Sequence, residues 1–187
     1  MQEDINKAIQ VLQNGGIILY PTDTIWGLGC DATNELAVQK IFDLKKRTDQ
    51  KSMLILLNNI NFIYSYVEEV PEVALDIAEL SEKPTTVIYP GAKNLAKNLI
   101  AEDGSIGIRI TTEEFTDKLL QKFRKPIVST SANISGEQFP ADFDEILEEI
   151  KEKVDYIVNY NQDKKVSRVP SSIIKVGLRS EIEVIRN

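Results

Sequence analysis

Apolar residues recur at Ile5, Ala8, Ile9 and Leu12, the spacing of one helix face, and Gly15-Gly16 ends that helix. The apolar run 17–20 follows directly and predicts a short buried strand. A loop rich in Thr, Asp and Gly is expected over 21–33. Helical spacing returns over 34–44 and ends in Lys45-Lys46-Arg47. Beyond it the pattern predicts a buried strand at 53–57 and a helix at 71–80, with Pro71 in its first turn. Strands are expected at 85–89 and 106–110, a helix at 113–123, and a strand at 127–130. That strand runs into an exposed polar loop, 131–136. The stretch 142–153 predicts an acidic amphipathic helix with a solvated charged face. Strands at 156–159, 172–176 and 182–186 close the pattern. Strands and helices mix without strict alternation, so the reading is an α/β fold on a mixed sheet rather than a regular doubly wound one.

Length keeps this to one unit. At 187 residues the chain suits a single domain, 1–187, and no repeat or Pro/Gly/Ser-rich linker divides it. Composition then removes whole classes of chemistry. Histidine is absent and Cys30 is the single cysteine. A Ser-His-Asp or Cys-His relay cannot be built, nor can a Cys/His zinc site. Cys30 reads as a small buried hydrophobe. The N-terminus is charged and lacks an apolar signal region, and no run approaches the ~20 apolar residues that span a bilayer. The expectation is a soluble, cytoplasmic chain without membrane contact. A net charge of −7 argues against a stand-alone nucleic-acid binder, because the phosphate backbone rewards positive charge.

Two formal motifs fail on context. Gly27-Leu28-Gly29-Cys30-Asp31-Ala32 fits G-x-G-x-x-A, but six residues separate it from the preceding strand, so the turn that holds a dinucleotide is missing. Asn133-Ile134-Ser135 fits a glycosylation sequon, with nothing else to suggest secretion.

Three polar clusters remain, each just beyond a predicted element. The first is Pro21-Thr22-Asp23-Thr24-Ile25-Trp26-Gly27-Leu28-Gly29, with hydroxyls and a carboxylate in a loop whose glycines allow close backbone approach. The second is Lys45-Lys46-Arg47, with Lys51 close behind. In an extended exit from the helix Lys45 and Arg47 point the same way, a point charge beside a fork that suits a polyphosphate. The third runs from Ser129 through Thr130, Ser131, Asn133 and Ser135 to Gly136, and its hydroxyls and backbone N–H groups suit an anion. Each cluster also has a plain structural reading: an Asx-type turn at Thr22-Asp23, a charge complement at a helix end, and a helix-capping loop.

Taken together, Pro21-Thr22-Asp23-Thr24-x-x-Gly27-Leu28-Gly29, Lys45-x-Arg47 and Ser131-x-Asn133 resemble the YrdC/TsaC family of threonylcarbamoyl-AMP synthases. Gly107-Ile108-Arg109 and Ser171-Ser172-Ile173-Ile174 match further positions, and the resemblance runs in order over nearly the whole chain. It implies a twisted mixed sheet with helices around a large concave cavity. It also implies a reaction of L-threonine, bicarbonate and ATP, with Mg²⁺ accompanying the nucleotide. The product, an adenylate, passes to tRNA-modification proteins, and direct tRNA binding by this chain is expected to be weak or absent. Lys45 and Arg47 would meet the phosphates; Thr22, Thr86 and Arg109 would hold threonine or its carbamate. Ser129, Ser131 and Asn133 would meet the adenylate. Ser135, Arg168, Ser171 and Ser172 would close over the nucleotide, with Thr24 and Lys51 as further contacts. No resident metal is implied. The chain departs from the pattern at Thr48, where Pro is common, and at Leu56, near which the family commonly places a His. An RNA-binding protein on the same fold, or a nucleotide-hydrolysing paralog, is the competing reading.

Overall fold

A computed structural model describes residues 1–46, 53–140, 142–163 and 169–187. Among them nine strands form one sheet in the order β7-β1-β2-β6-β3-β5-β4-β8-β9. The strands are β1 Ile18–Tyr20, β2 Gly27–Gly29, β3 Leu54–Leu57, β4 Thr85–Tyr89, β5 Ile106–Ile110, β6 Ile127–Ser131, β7 Tyr156–Ile157, β8 Ser172–Val176 and β9 Ile182–Arg186. The helices are α1 Gln2–Gln13, α2 Glu35–Leu44, α3 Ile63–Tyr66, α4 Glu72–Leu80, α5 Glu114–Phe123 and α6 Glu148–Lys153. Three parallel pairs (β1 with β7, β3 with β5, β4 with β8) stand among five antiparallel ones, so the mixed sheet expected from the sequence is present.

The central strands bury both faces, and successive residues divide between two cores. Leu19, Ile55, Leu57 and Val128 join one core, which also holds Ile41 of α2, Ile63 of α3, Ala74 of α4 and Ile150 of α6. Ile18, Tyr20, Leu56 and Ile127 join the other, with Ile5 and Leu12 of α1 and Phe115 and Leu119 of α5. On that second face, among the described residues, only α1 and α5 contribute helical core. No core residue there comes from β4, β8 or β9. Among the described residues, helical core therefore covers this face near β1 and β6 and does not extend toward β9.

Local signals explain most element ends. Asn34 caps α2 by accepting from the N–H groups of Leu36 and Ala37. Glu113 accepts from the Thr116 N–H at the start of α5. Pro71 stands at the N-cap of α4, one place before the helical turn. Two expectations need correction. The loop read over 21–33 contains β2, whose two glycines carry no strand propensity. Tertiary contact selects them: a Cβ on Gly29 would stand 2.7 Å from Tyr20 Cε1, 2.9 Å from Ile127 Cγ2 and 3.0 Å from the Val128 carbonyl. Because Gly27 and Gly29 lie in a strand, no turn opens onto a helix there, and the dinucleotide motif has no structural counterpart. The acidic helix expected over 142–153 is helical only in α6. Before it, Phe143 and Ile146 turn onto the main core, Phe143 meeting the Trp26 ring at 5.0 Å, and this draws the chain out of helical phase. Among the described residues no helix is long and apolar enough to cross a membrane.

Replacing Gly29 with Ala is expected to destabilise the fold by about 2 kcal/mol, the scale of overpacking in a close-packed core. Urea unfolding checks this through a lower midpoint at unchanged slope.

Candidate functional site

The open part of the sheet forms the floor of a cavity of about 320 Å³. Register explains why the site residues meet there. Gly27 pairs with Ser131, Leu54 with Ser129, and Leu56 with Arg109. Thr86 pairs with Ile173, which in turn pairs with Arg186. Paired residues point to the same face, so one row crosses β2, β6, β3, β5, β4, β8 and β9 on the uncovered side. Thr22, Thr24, Lys45, Arg109, Ser129, Ser131, Asn133, Ser135 and Ser171 all line the cavity.

The loop before β2 is a self-bonded turn. Thr22 Oγ1 donates to the Ile25 carbonyl at 2.7 Å and accepts from the Thr24 N–H at 3.1 Å, with the Thr24 hydroxyl also 3.1 Å away. The turn expected at Thr22-Asp23 thus forms, but Thr22 organises it rather than Asp23. Asp23 is left to pair with Arg109, Oδ1 to Nη2 at 2.9 Å, with both side chains nearly buried. Arg109 Nε has no hydrogen-bond partner among the described residues. Burial pushes the Asp23 carboxyl above the ordinary carboxylate range, and the Arg109 charge pulls against that.

Lys45 is the second fixed point, and it lies in the cavity wall at only 2% exposure. Its ammonium donates to the Ser131 carbonyl at 2.6 Å, the Asn133 carbonyl at 2.7 Å and Asn133 Oδ1 at 3.2 Å. In return the Lys45 carbonyl accepts from the Ser135 N–H at 3.2 Å. Asn133 completes the brace, accepting from the Ser131 hydroxyl and donating from Nδ2 to the Glu137 carbonyl at 2.7 Å. The loop expected to be exposed is therefore anchored at its centre, with Asn133 buried and exposure beginning at Ser135. The exit from α2 is not extended either: Lys46 has φ 52°, which turns the chain. Arg47, Lys51 and Arg168 lie outside the described residues.

On the far side, Thr86 and Ser171 hydroxyls bond at 2.9 Å, both buried, with Thr86 beneath the lining rather than in it. Ser172, one residue on, is absent from the lining, as strand alternation requires. Arg186 is a cavity residue that sequence reasoning missed. Its Nε and Nη2 donate to the Ser171 carbonyl at 2.9 and 2.7 Å, and burial together with the nearby Arg109 charge lowers its pKa. A terminal strand gave no motif to find it by. Two guanidinium groups within each other's field make this side of the cavity suited to an anion. Cys30 is buried with its thiol pushed upward by desolvation, which removes it as a nucleophile at neutral pH. Among the described residues no three acidic, His or Cys side chains gather to hold a metal.

Comparison with known proteins places the chain in a family. Residues 10–187 match the Sua5/YciO/YrdC family, described as "Telomere recombination". A protein named threonylcarbamoyl-AMP synthase from Pseudoalteromonas translucida is 34% identical over 161 residues, covering 84% of this chain and 86% of that one. One of the same name from Psychromonas ingrahamii is 34% identical over 138 residues, 72% of each chain. The crystal structure of P. abyssi Sua5 complexed with L-threonine aligns with a TM-score of 0.83 at 26% identity, over 92% of this chain and 50% of that one. This chain thus spans about half of that protein. E. coli YciO shares the fold at a TM-score of 0.85 and 22% identity, over 100% of this chain and 90% of that one.

Two outcomes follow from the geometry. Lys45→Met keeps the aliphatic stem but takes the ammonium donor from the Ser131 and Asn133 carbonyls and leaves Asn133 Oδ1 with the Ser131 hydroxyl; a loss of about 3 kcal/mol is expected in urea unfolding. Asp23 binds its proton more tightly folded than unfolded, so its contribution to stability falls as pH rises above the unfolded carboxylate value of about 3.9. Stability curves against pH for wild type and Asp23→Asn are expected to separate accordingly: wild type minus variant declines with rising pH and then levels. A flat difference would show that burial does not hold the proton on Asp23.

Proposed function

The chain belongs to the Sua5/YciO/YrdC family, and on that premise we propose that it is an L-threonylcarbamoyladenylate synthase. It joins L-threonine, bicarbonate and ATP into threonylcarbamoyl-AMP and pyrophosphate. The observation that carries this reading is the meeting of the Thr22 turn, the Ser131-x-Asn133 turn, Arg109 and Arg186 in one cavity. The reaction needs such a place. The threonine amine bonds the carbon of bicarbonate with loss of water, giving a carbamate. A carbamate oxygen then bonds the α-phosphorus while the bond from that phosphorus to the bridging oxygen breaks, and pyrophosphate leaves. Positioning and charge neutralisation dominate such a transfer, so the absence of histidine is no obstacle.

Roles follow from position. Arg186 and Arg109 supply the positive wall for the phosphates and the carboxylate. Lys45 adds its charge to that wall while holding the turn that presents Ser131, with Arg47 expected to share the phosphate role. Thr22 and Thr86 flank the threonine and carbamate end, Thr86 through Ser171. Ser129 and Asn133 face the adenylate, and Ser135 stands at the rim. Mg²⁺ would arrive with ATP as part of that substrate. The adenylate would pass to the proteins that modify tRNA. The −7 net charge supports weak direct tRNA binding.

Incubation with ATP, threonine and bicarbonate is expected to release pyrophosphate and to yield the adenylate by mass spectrometry, with all three substrates required. Pyrophosphate release that ignores threonine would overturn the reading. Arg186→Ala is expected to lower kcat/KM by about 10²–10³, the weight of one preorganised charge contact, while the unfolding midpoint moves little.

A further inference from the structure

A second concavity, of about 350 Å³, lies at the other end of β3 and β6. The cavity described above takes Leu54 and Ser129 from these strands; the second takes Leu57 and, just before β6, Pro126. Its apolar lining includes Leu57 and Leu120. Phe62, half exposed, and Tyr66 bring aromatic surface from the segment after β3. Asn58 and Gln121 add amides, and Arg124 and Lys125 add cations from the end of α5. The Asn58 amide, the Tyr66 hydroxyl and the Arg124 guanidinium have no hydrogen-bond or ion-pair partner among the described residues, whereas Lys125 is held by Asp31 at 2.6 Å. Arg124 also ends α5 in the left-handed conformation, φ 60° and ψ 25°, where glycine sits without strain. The chain instead keeps a long cation there. In a chain of net charge −7, this lining draws its two cations from Arg124 and Lys125.

We infer that this groove binds a nucleotide unit, with the base against Phe62 and Tyr66, its edge toward Asn58 and Gln121, and the phosphate at Arg124. Aromatic faces, amides and a free guanidinium side by side are the groups that receive an unstacked base and its phosphate. The volume is that of a small-ligand site. A free mononucleotide and an unpaired residue of an RNA strand offer this same chemistry.

The test is an amide NMR titration of the full chain with AMP, and in a second arm with a single-stranded oligoadenylate. Resonances of Asn58, Phe62, Gln121 and Arg124 are expected to move. Movement with AMP assigns the free nucleotide, and movement with the oligomer alone assigns RNA. Arg124→Gly removes the cation and relieves the backbone, so the fold is retained. It is expected to weaken groove binding about tenfold, the lower end for a charge-assisted hydrogen bond, while pyrophosphate release is unchanged. Shifts confined to cavity residues such as Ser129 and Ser171, no shifts at all, or equal titration of wild type, Arg124→Gly and Phe62→Ser would each overturn the inference.

Discussion

A lysine ammonium buried in a protein must keep its acceptors, because desolvating an unpaired charge costs several kcal/mol. Lys45 meets that demand with three oxygens of one turn. The consequence runs in both directions. The end of α2 cannot move without the exit of β6, and the two carbonyls at Ser131 and Asn133 must face inward. The Asn133 amide is then oriented by Lys45 on one side and the Glu137 carbonyl on the other. What reads in the sequence as a string of hydroxyls becomes a turn of one shape. The cavity wall is built on that turn.

The floor depends on a different constraint. A sheet with both faces buried must be covered, and here two helices on one face cover only part of it. Beyond them, among the described residues, the row on this face is Gly27, Ser131, Ser129, Arg109 and Arg186, with Leu54 and Ile173 as its apolar members and Thr86 buried beneath the lining. Polar side chains at inward strand positions weaken packing unless a ligand or a partner charge offsets them. Asp23 offsets part of the Arg109 charge, with burial opposing its ionisation and Arg109 favouring it. Arg186 is steadied by the Ser171 carbonyl and still lies in the field of Arg109. An anion between them relieves both, which is why a substrate with phosphates and a carboxylate suits this place.

Legibility along the chain followed the range of the interaction responsible. Strands 85–89, 106–110, 172–176 and 182–186 have the bounds that hydrophobic pattern predicts, since alternation and burial are written locally. The polar clusters at Thr22, Ser131 and Asn133 were likewise visible as residues, though not as bonds. β2 was invisible because glycine has no strand preference of its own; its selection depends on Tyr20 and Ile127 approaching to within contact of Gly29. The helix over 142–153 was over-read because Phe143 and Ile146 satisfy helical spacing in the sequence but answer to Trp26 in the fold.

By itself the sequence determined the class of sheet, the lack of any histidine relay or Cys/His zinc site, and which short motifs carry the polar groups. Those are properties of residue type and spacing, and they survive any arrangement of the elements. Only the tertiary structure decided that Lys45 braces the Ser131-x-Asn133 turn, that Asp23 is matched to Arg109, and that Arg186, from the last strand, joins a cavity whose other side is set by Thr22. Each of these joins groups dozens of residues apart, with strand register setting the positions of Ser131, Arg109 and Arg186 that the loops and the end of α2 meet. A one-residue slip in register reverses the face a side chain occupies, so no local pattern can specify them.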